Sequence, residues 1–204
     1  MKKIICTVLC ILMIATLVAC AGTGGGGASQ TDLTGTTDGI LLEIVDGIAL
    51  AGVETPFVMP PLMVHPESSE FDIGLSTDDF NRLVFDAYTS LAAISTFAHQ
   101  ISVIKANSAA DATEIMNIIS SNGGFDANKW VCVWPQNASV IRSGEYVLLA
   151  ASRNDIVDAA INTFTTLAGA GNVSSVNRFW QHEGGEWDGG DDGGIGILPA
   201  PIVP

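Results

Sequence analysis

Basic residues are scarce in this chain, with 8 Lys+Arg against 22 Asp+Glu in 204 residues, a formal net charge of −14 and a pI near 4.2. That scarcity argues against a nucleic-acid partner, because phosphate binding needs a Lys/Arg footprint that eight scattered residues do not build. Cysteine is rarer still, and of the four only Cys132 lies beyond residue 20. Catalytic grammar is missing too: there is no His-x-x-x-His, no Cys-x-x-Cys and no Gly-x-Ser-x-Gly. Gly24–Gly27 follows no strand and opens no helix with Lys-Ser/Thr, so it reads as linker and not as a phosphate loop. The uncharged apolar run Ile4 to Val18 has 15 residues, short of the roughly 20 that a spanning helix needs. What the chain does have is 48% hydrophobic residues, which excludes full disorder, and a length suited to one domain with a real core.

Its first residues, MKKIICTVLCILMIATLVAC, combine a Lys2-Lys3 start with that apolar run, the pattern of a removable signal peptide. The run closes in Leu17-Val18-Ala19-Cys20, which resembles the lipobox of bacterial lipoproteins. There the cysteine sulfur takes a diacylglyceryl group and becomes residue one after cleavage. An ordinary secretory signal, or an uncleaved anchor, is the plainer alternative. Two acyl chains anchor stably where one holds only marginally. Loss of residues 1–19 would leave 6 basic residues against 22 acidic, a net −16, so lipid and not surface charge would hold the protein to an anionic membrane. It would also leave Cys132 as the one cysteine besides the lipidated Cys20, with no intramolecular disulfide possible.

Residues 20–37 then form the lipidated cysteine and a Gly/Ser/Thr tether, with a root-mean-square reach of roughly 20–25 Å. A single domain is expected over 38–172, followed by a low-complexity acidic Gly/Pro-rich tail over 173–204, mostly unstructured from Gly184. Ile40, Leu41, Ile44, Val45 and Ile48 recur at helical spacing, with Asp38 placed to cap. Four prolines make 56–70 an extended, irregular crossing, and Ser76-Thr77-Asp78-Asp79-Phe80 looks like a capped helical turn. Two similar units follow. Ala87–Phe97 and Gln100–Lys105 read as a hairpin, and Ser108 to Asp111 as a capping box opening a helix that Gly123 and Gly124 end. Ala138–Arg142 and Glu145–Ala151 flank a Ser143-Gly144 turn, and Ser152 to Asp155 repeats the capping pattern before Ile156–Phe164. The fold class expected is α+β: two β-β-α units making a four-stranded, mainly antiparallel sheet with helices on one face, preceded by an N-terminal helix.

From about Phe80 to Gly169 the pattern resembles an uncharacterised lipoprotein domain family of clostridia and related Firmicutes. The likeness is carried by Ile101-Ser-Val-Ile-Lys-Ala106, Pro135-Gln136, and Ser143-Gly-Glu-Tyr-Val-Leu148 leading into Asp155–Phe164. Between Asn122 and Val133 the chain departs from it, with NGGFDANKWVCV where that pattern has a longer polar helix. The resemblance implies a lipid-anchored α+β domain and no assigned activity.

Several residues carry chemistry worth weighing. Cys132 alternates with Trp130 and Trp134, apolar neighbours that suit a buried small hydrophobe better than an activated thiol. As a thiol hydrolase it would need a base, and His65, His99 and His182 are all possible partners. Glu183, Glu186, Asp188, Asp191 and Asp192 lie among glycines without the regular ligand spacing of a Ca²⁺ loop, so they read as a solvated tail. Trp180, Trp187 and the apolar stretch Ile195 to Pro204 are suited to docking on a partner, with folding back on the sheet or simple disorder as the plainer reading. Asn137 and Asn172 open glycosylation sequons that a bacterial lipoprotein would normally leave bare. No catalytic residue, cofactor or metal site is expected. The function expected is a non-enzymatic binding or adaptor module on the extracytoplasmic face of the cell membrane, held through diacylglyceryl-Cys20, with an envelope protein as possible partner. A small envelope enzyme using Cys132 and a self-associating structural lipoprotein are the alternatives.

Overall fold

The apolar spacing from Ile40 to Ile48 does build a helix, α1 (Thr37–Leu50), with Ile40, Leu41, Ile44 and Ile48 buried. Its cap is Thr36 and not Asp38: the Thr36 hydroxyl accepts from Gly39 N at 3.3 Å, while Asp38 sits in the first turn. The computed structural model describes residues 33–126, 129–130 and 133–181. After α1 come β1 (Leu62–Met63), α2 (Ser69–Ile73), α3 (Thr77–Leu83), β2 (Val84–Leu91), β3 (Gln100–Ala106) and α4 (Ala109–Asn122). Then follow β4 (Asn137–Ser143), β5 (Tyr146–Ser152), α5 (Asn154–Ala168), a 3₁₀ turn at Ala170–Asn172 and β6 (Asn177–Gln181).

The fold is α+β. Its sheet has six strands in the order β1-β2-β3-β5-β4-β6, each pair antiparallel. The four central strands are those of the two β-β-α units. The expected four-stranded sheet is therefore too small, by one strand at each edge. Prolines at 60 and 61 lack backbone donors, which keeps β1 to two residues against β2. On the other side Asn177–Gln181 pairs with β4, inside the region read as tail. Trp180 does fold back on the sheet, its indole N–H donating to Pro135 O at 3.0 Å.

Helices cover both faces and not one. Ile101, Val103, Ile141, Leu148 and Ala150 pack with α1 and α5, while Ile104, Val140, Val147 and Leu149 pack with α4. The reason is legible in the strands. β5 is buried at every position and β3 and β4 nearly so, and a strand apolar on alternate faces needs two covers. Phe164 of α5 is fully buried in the first layer. Gly47 lets α1 approach α5 closely, since a Cβ there would stand 2.4 Å from Thr163 Cγ2.

The caps divide. Ser108 accepts from Asp111 N at 3.1 Å and donates to its carboxylate at 2.7 Å, and Gly123 closes α4 in the left-handed region. Ser76 likewise caps α3 through Asp79 N. Ser152 does not cap α5. It is the last residue of β5, and Arg153 occupies the cap position without a side-chain cap bond.

Candidate functional site

Antiparallel pairing gives the sheet two distinct ends. At the entry end, Leu33 lies in the first-face core, Tyr146 donates to Gly35 O at 3.1 Å, and Thr37 bonds Asp86 at the start of β2. The opposite, distal end collects the β2–β3 connection, the start of β4, the ends of β5 and β6, and the first turn of α5. The chain leaving α1 crosses there too, since Arg153 donates to Glu54 O at 2.8 Å.

Residues 92–99 and 57–59 form the tip of this end. The sequence extends a strand to Phe97, but the ladder stops at Leu91, opposite Gln100. Beyond it Ala93 N donates to Phe57 O at 2.8 Å, Val58 bridges Ala92, and Phe97 N donates to Ile94 O at 3.2 Å. Those bonds fix the backbone while the side chains face water: Phe57 is 83% exposed, Ile94 62% and Phe97 48%. Three large apolar side chains held in solvent by an ordered backbone make the tip the candidate interaction surface.

Beneath the tip lies a buried polar layer. His99 is 1% exposed, its Nδ1 lying 3.1 Å from Ser152 Oγ, which also donates to Ala98 O at 3.3 Å. His99 Nε2 has no partner among the described residues. Burial, with Arg153 nearby, lowers the His99 pKa to about 4, so the ring is neutral at physiological pH. Ser152 is itself buried, so the pair ties the end of β5 to the β2–β3 connection.

On the other face, Gln100 donates to Asp72 O at 2.6 Å and to Ser102 Oγ at 2.8 Å, and Ser102 donates to Thr89 at 2.8 Å. Lys129 Nζ joins this chain, donating to Asp72 O and Gln100 Oε1, each at 2.9 Å. The rings of Phe71, Phe125 and Trp130 stand 5.1, 5.6 and 5.6 Å from the same nitrogen. Burial, opposed by Asp72 and Asp126, lowers the Lys129 pKa to about 8. As a cation its amine donates these two hydrogen bonds among three aromatic rings. Phe125 packs edge-on against Trp130 with centroids 5.0 Å apart, and near Phe179 and Trp180 of β6. Gly124 has φ 72°, and a Cβ there would meet the Phe179 ring at 2.4 Å, so the glycine lets β6 close over these rings.

A shallow cleft of about 380 Å³ lies between the end of α1 and α5, lined by Ala51, Val53, Asp155, Asp158, Asn162 and Thr166. Its carboxylates are already engaged, Asp155 with Arg153 and Asp158 with Arg178, both at 2.8 Å. The Arg153 hydrogen bond, foremost among its contacts, holds the Asp155 pKa below the usual carboxylate range.

Of the residues singled out from the sequence, Cys20, Cys132, His182, Trp187 and the acidic cluster 183–192 lie outside the described residues. His65 is exposed in the Pro-rich crossing, and His99 is buried against Ser152. Asn137 is buried in β4 and accepts from Ser139 at 2.8 Å. Among the described residues no group of three His, Cys, Asp or Glu could hold a metal, and no helix is long and apolar enough to cross a membrane. Phe57, Lys129 and the exposure of Ile94 and Phe97 went unread, although an Ala-Ile-Ser-Thr-Phe stretch whose polar pair breaks strand alternation was a usable signal. No protein-family model, curated protein or solved structure matches the chain.

Proposed function

We propose that this chain is a membrane-anchored bacterial lipoprotein whose domain acts as a non-enzymatic binding or adaptor module on the extracytoplasmic face of the membrane. Diacylglyceryl-Cys20 is the anchor, 21–32 the spacer, and the surface of Phe57, Ile94 and Phe97 the docking face. One observation carries the docking assignment: these three side chains sit on hydrogen-bonded backbone at the end of the sheet opposite the N-terminal entry. A domain tethered by its entry end leaves that tip clear of the attachment point and free to meet another envelope protein. The net charge of −16 after processing keeps the body off anionic headgroups, which leaves the anchoring to the lipid. The lipobox and the likeness to clostridial lipoprotein domains support the anchor.

Crosslinking in living cells at native expression, followed by mass spectrometry, tests this reading. Wild type is compared with Cys20→Ala, which has no thiol to acylate. One partner joined to the anchored form and lost from the variant is expected. A variant that stays with the membrane fraction, or a defined envelope substrate turned over by the domain, would overturn the reading.

A further inference from the structure

The distal surface has a candidate occupant in the same chain. β6 runs toward the distal end and finishes at Gln181, paired with Asn137 at the first residue of β4. The sequence therefore leaves the sheet at the end where Phe57, Ile94 and Phe97 face water. Thirteen residues, 182–194, follow, six of them glycine and five acidic, before the apolar stretch Ile195-Gly-Ile-Leu-Pro-Ala-Pro-Ile-Val-Pro204.

We propose that Ile195–Pro204 seats on the surface formed by Phe57, Ile94 and Phe97, covering it until a partner displaces it. The inference rests on the docking-face assignment and not on lipidation. Distances favour it. From β6 to β2 is four strand spacings, about 19 Å. A Gly-rich linker of 13 residues has a root-mean-square reach of about 20 Å, so the stretch arrives where the tip begins. Tethering at matched length raises the effective concentration to the order of millimolar, so weak contact suffices. Chemistry favours it as well. Pro199, Pro201 and Pro204 preset φ for an extended segment, which reduces the entropy lost on docking. Proline rings and aliphatic side chains settle on exposed aromatic faces such as Phe57 and Phe97. A second copy would have to reach that local concentration in bulk.

The test is amide hydrogen exchange by mass spectrometry on the full chain and on the double variant Ile197→Asp/Leu198→Asp. Both changes lie outside the described residues, and unchanged exchange in β5 and α5 verifies that the domain is intact. Amides of 57–59 and 92–99 are expected to exchange about threefold faster or more in the variant, at every protein concentration. Equal rates in the two proteins would overturn the proposal. So would a difference that grows with protein concentration, which assigns the surface to a second copy. A difference seen only with phosphatidylglycerol–phosphatidylethanolamine vesicles would overturn it in favour of a bilayer. The exchange result stands apart from partner capture: an absent envelope partner leaves a loop protection effect intact, and absent protection leaves captured partners valid.

Discussion

The two ends of one sheet are built on opposite terms. At the entry end, polar groups find partners at the surface: Arg82 joins Asp79 and Glu114, both at 2.7 Å, and Ser108 closes a capping box. Phe85, an exposed ring at that end, has Lys105 Nζ 5.0 Å from its centroid. At the distal end the logic is inverted. An imidazole and an ammonium are buried at a cost to their charged forms, while Phe57, Ile94 and Phe97 stand in water. Such an arrangement leaves ordered apolar side chains exposed, the division between scaffold and binding face that the docking proposal expects.

The contrast breaks first in the core, which belongs to both ends. Phe164→Ala is expected to lose about 3–5 kcal/mol in chemical denaturation, because the cavity it opens lies between rigid layers. A loss under 1 kcal/mol would mean the α5 layer is not packed as described.

Acid sharpens it next. His99 titrates near 4 in the folded chain, below its ordinary 6.5, so the unfolded chain takes up the proton first. Stability held by the neutral ring is whole above pH 6.5 and falls as pH drops toward 4, by on the order of 3 kcal/mol. In His99→Leu this component is expected to vanish between pH 4 and 6.5, read as wild type minus variant in denaturant midpoints.

Alkali tests the other buried group. The folded pKa of Lys129, about 8, lies below its ordinary 10.5, so the unfolded chain holds the proton longer. Stability then rises from pH 8 to 10.5, by a similar or smaller amount because the side chain is partly exposed. Lys129→Met is expected to flatten that rise while stranding Gln100 Oε1, Asp72 O keeping its bond from Gln100. The smallest effect belongs to the tip itself, where Phe97→Ser is expected to move stability by no more than about 0.5 kcal/mol.

Runs of strand formers in β3, β4 and β5 and the Ser143-Gly144 turn made the two β-β-α units legible, as did Ser108 and Gly123 at the ends of α4. The second helical layer was equally written there, in adjacent buried pairs such as Val103-Ile104 and Val140-Ile141, but a two-faced strand has no period of its own. β6 was hidden by its flanks: Asn177–Gln181 is short and lies between polar and Gly-rich segments, and Phe179 and Trp180 gain a role only once Gly124 and Phe125 approach. The tip was misread because Ile94 and Phe97 suit a strand by propensity, while the ladder ends where the partner strand begins at Gln100. Lys129 offered no local signal, since its acceptors come from 57 and 29 residues away.

The claim that the distal tip is a docking face is tested most directly by position-specific photocrosslinking in living cells. A photoreactive phenylalanine analogue replaces Phe97 in one strain and Glu43, exposed on α1, in another. A discrete intermolecular adduct from position 97, absent from position 43, is the expected result. Identical adducts from both positions, or none from position 97, would contradict it.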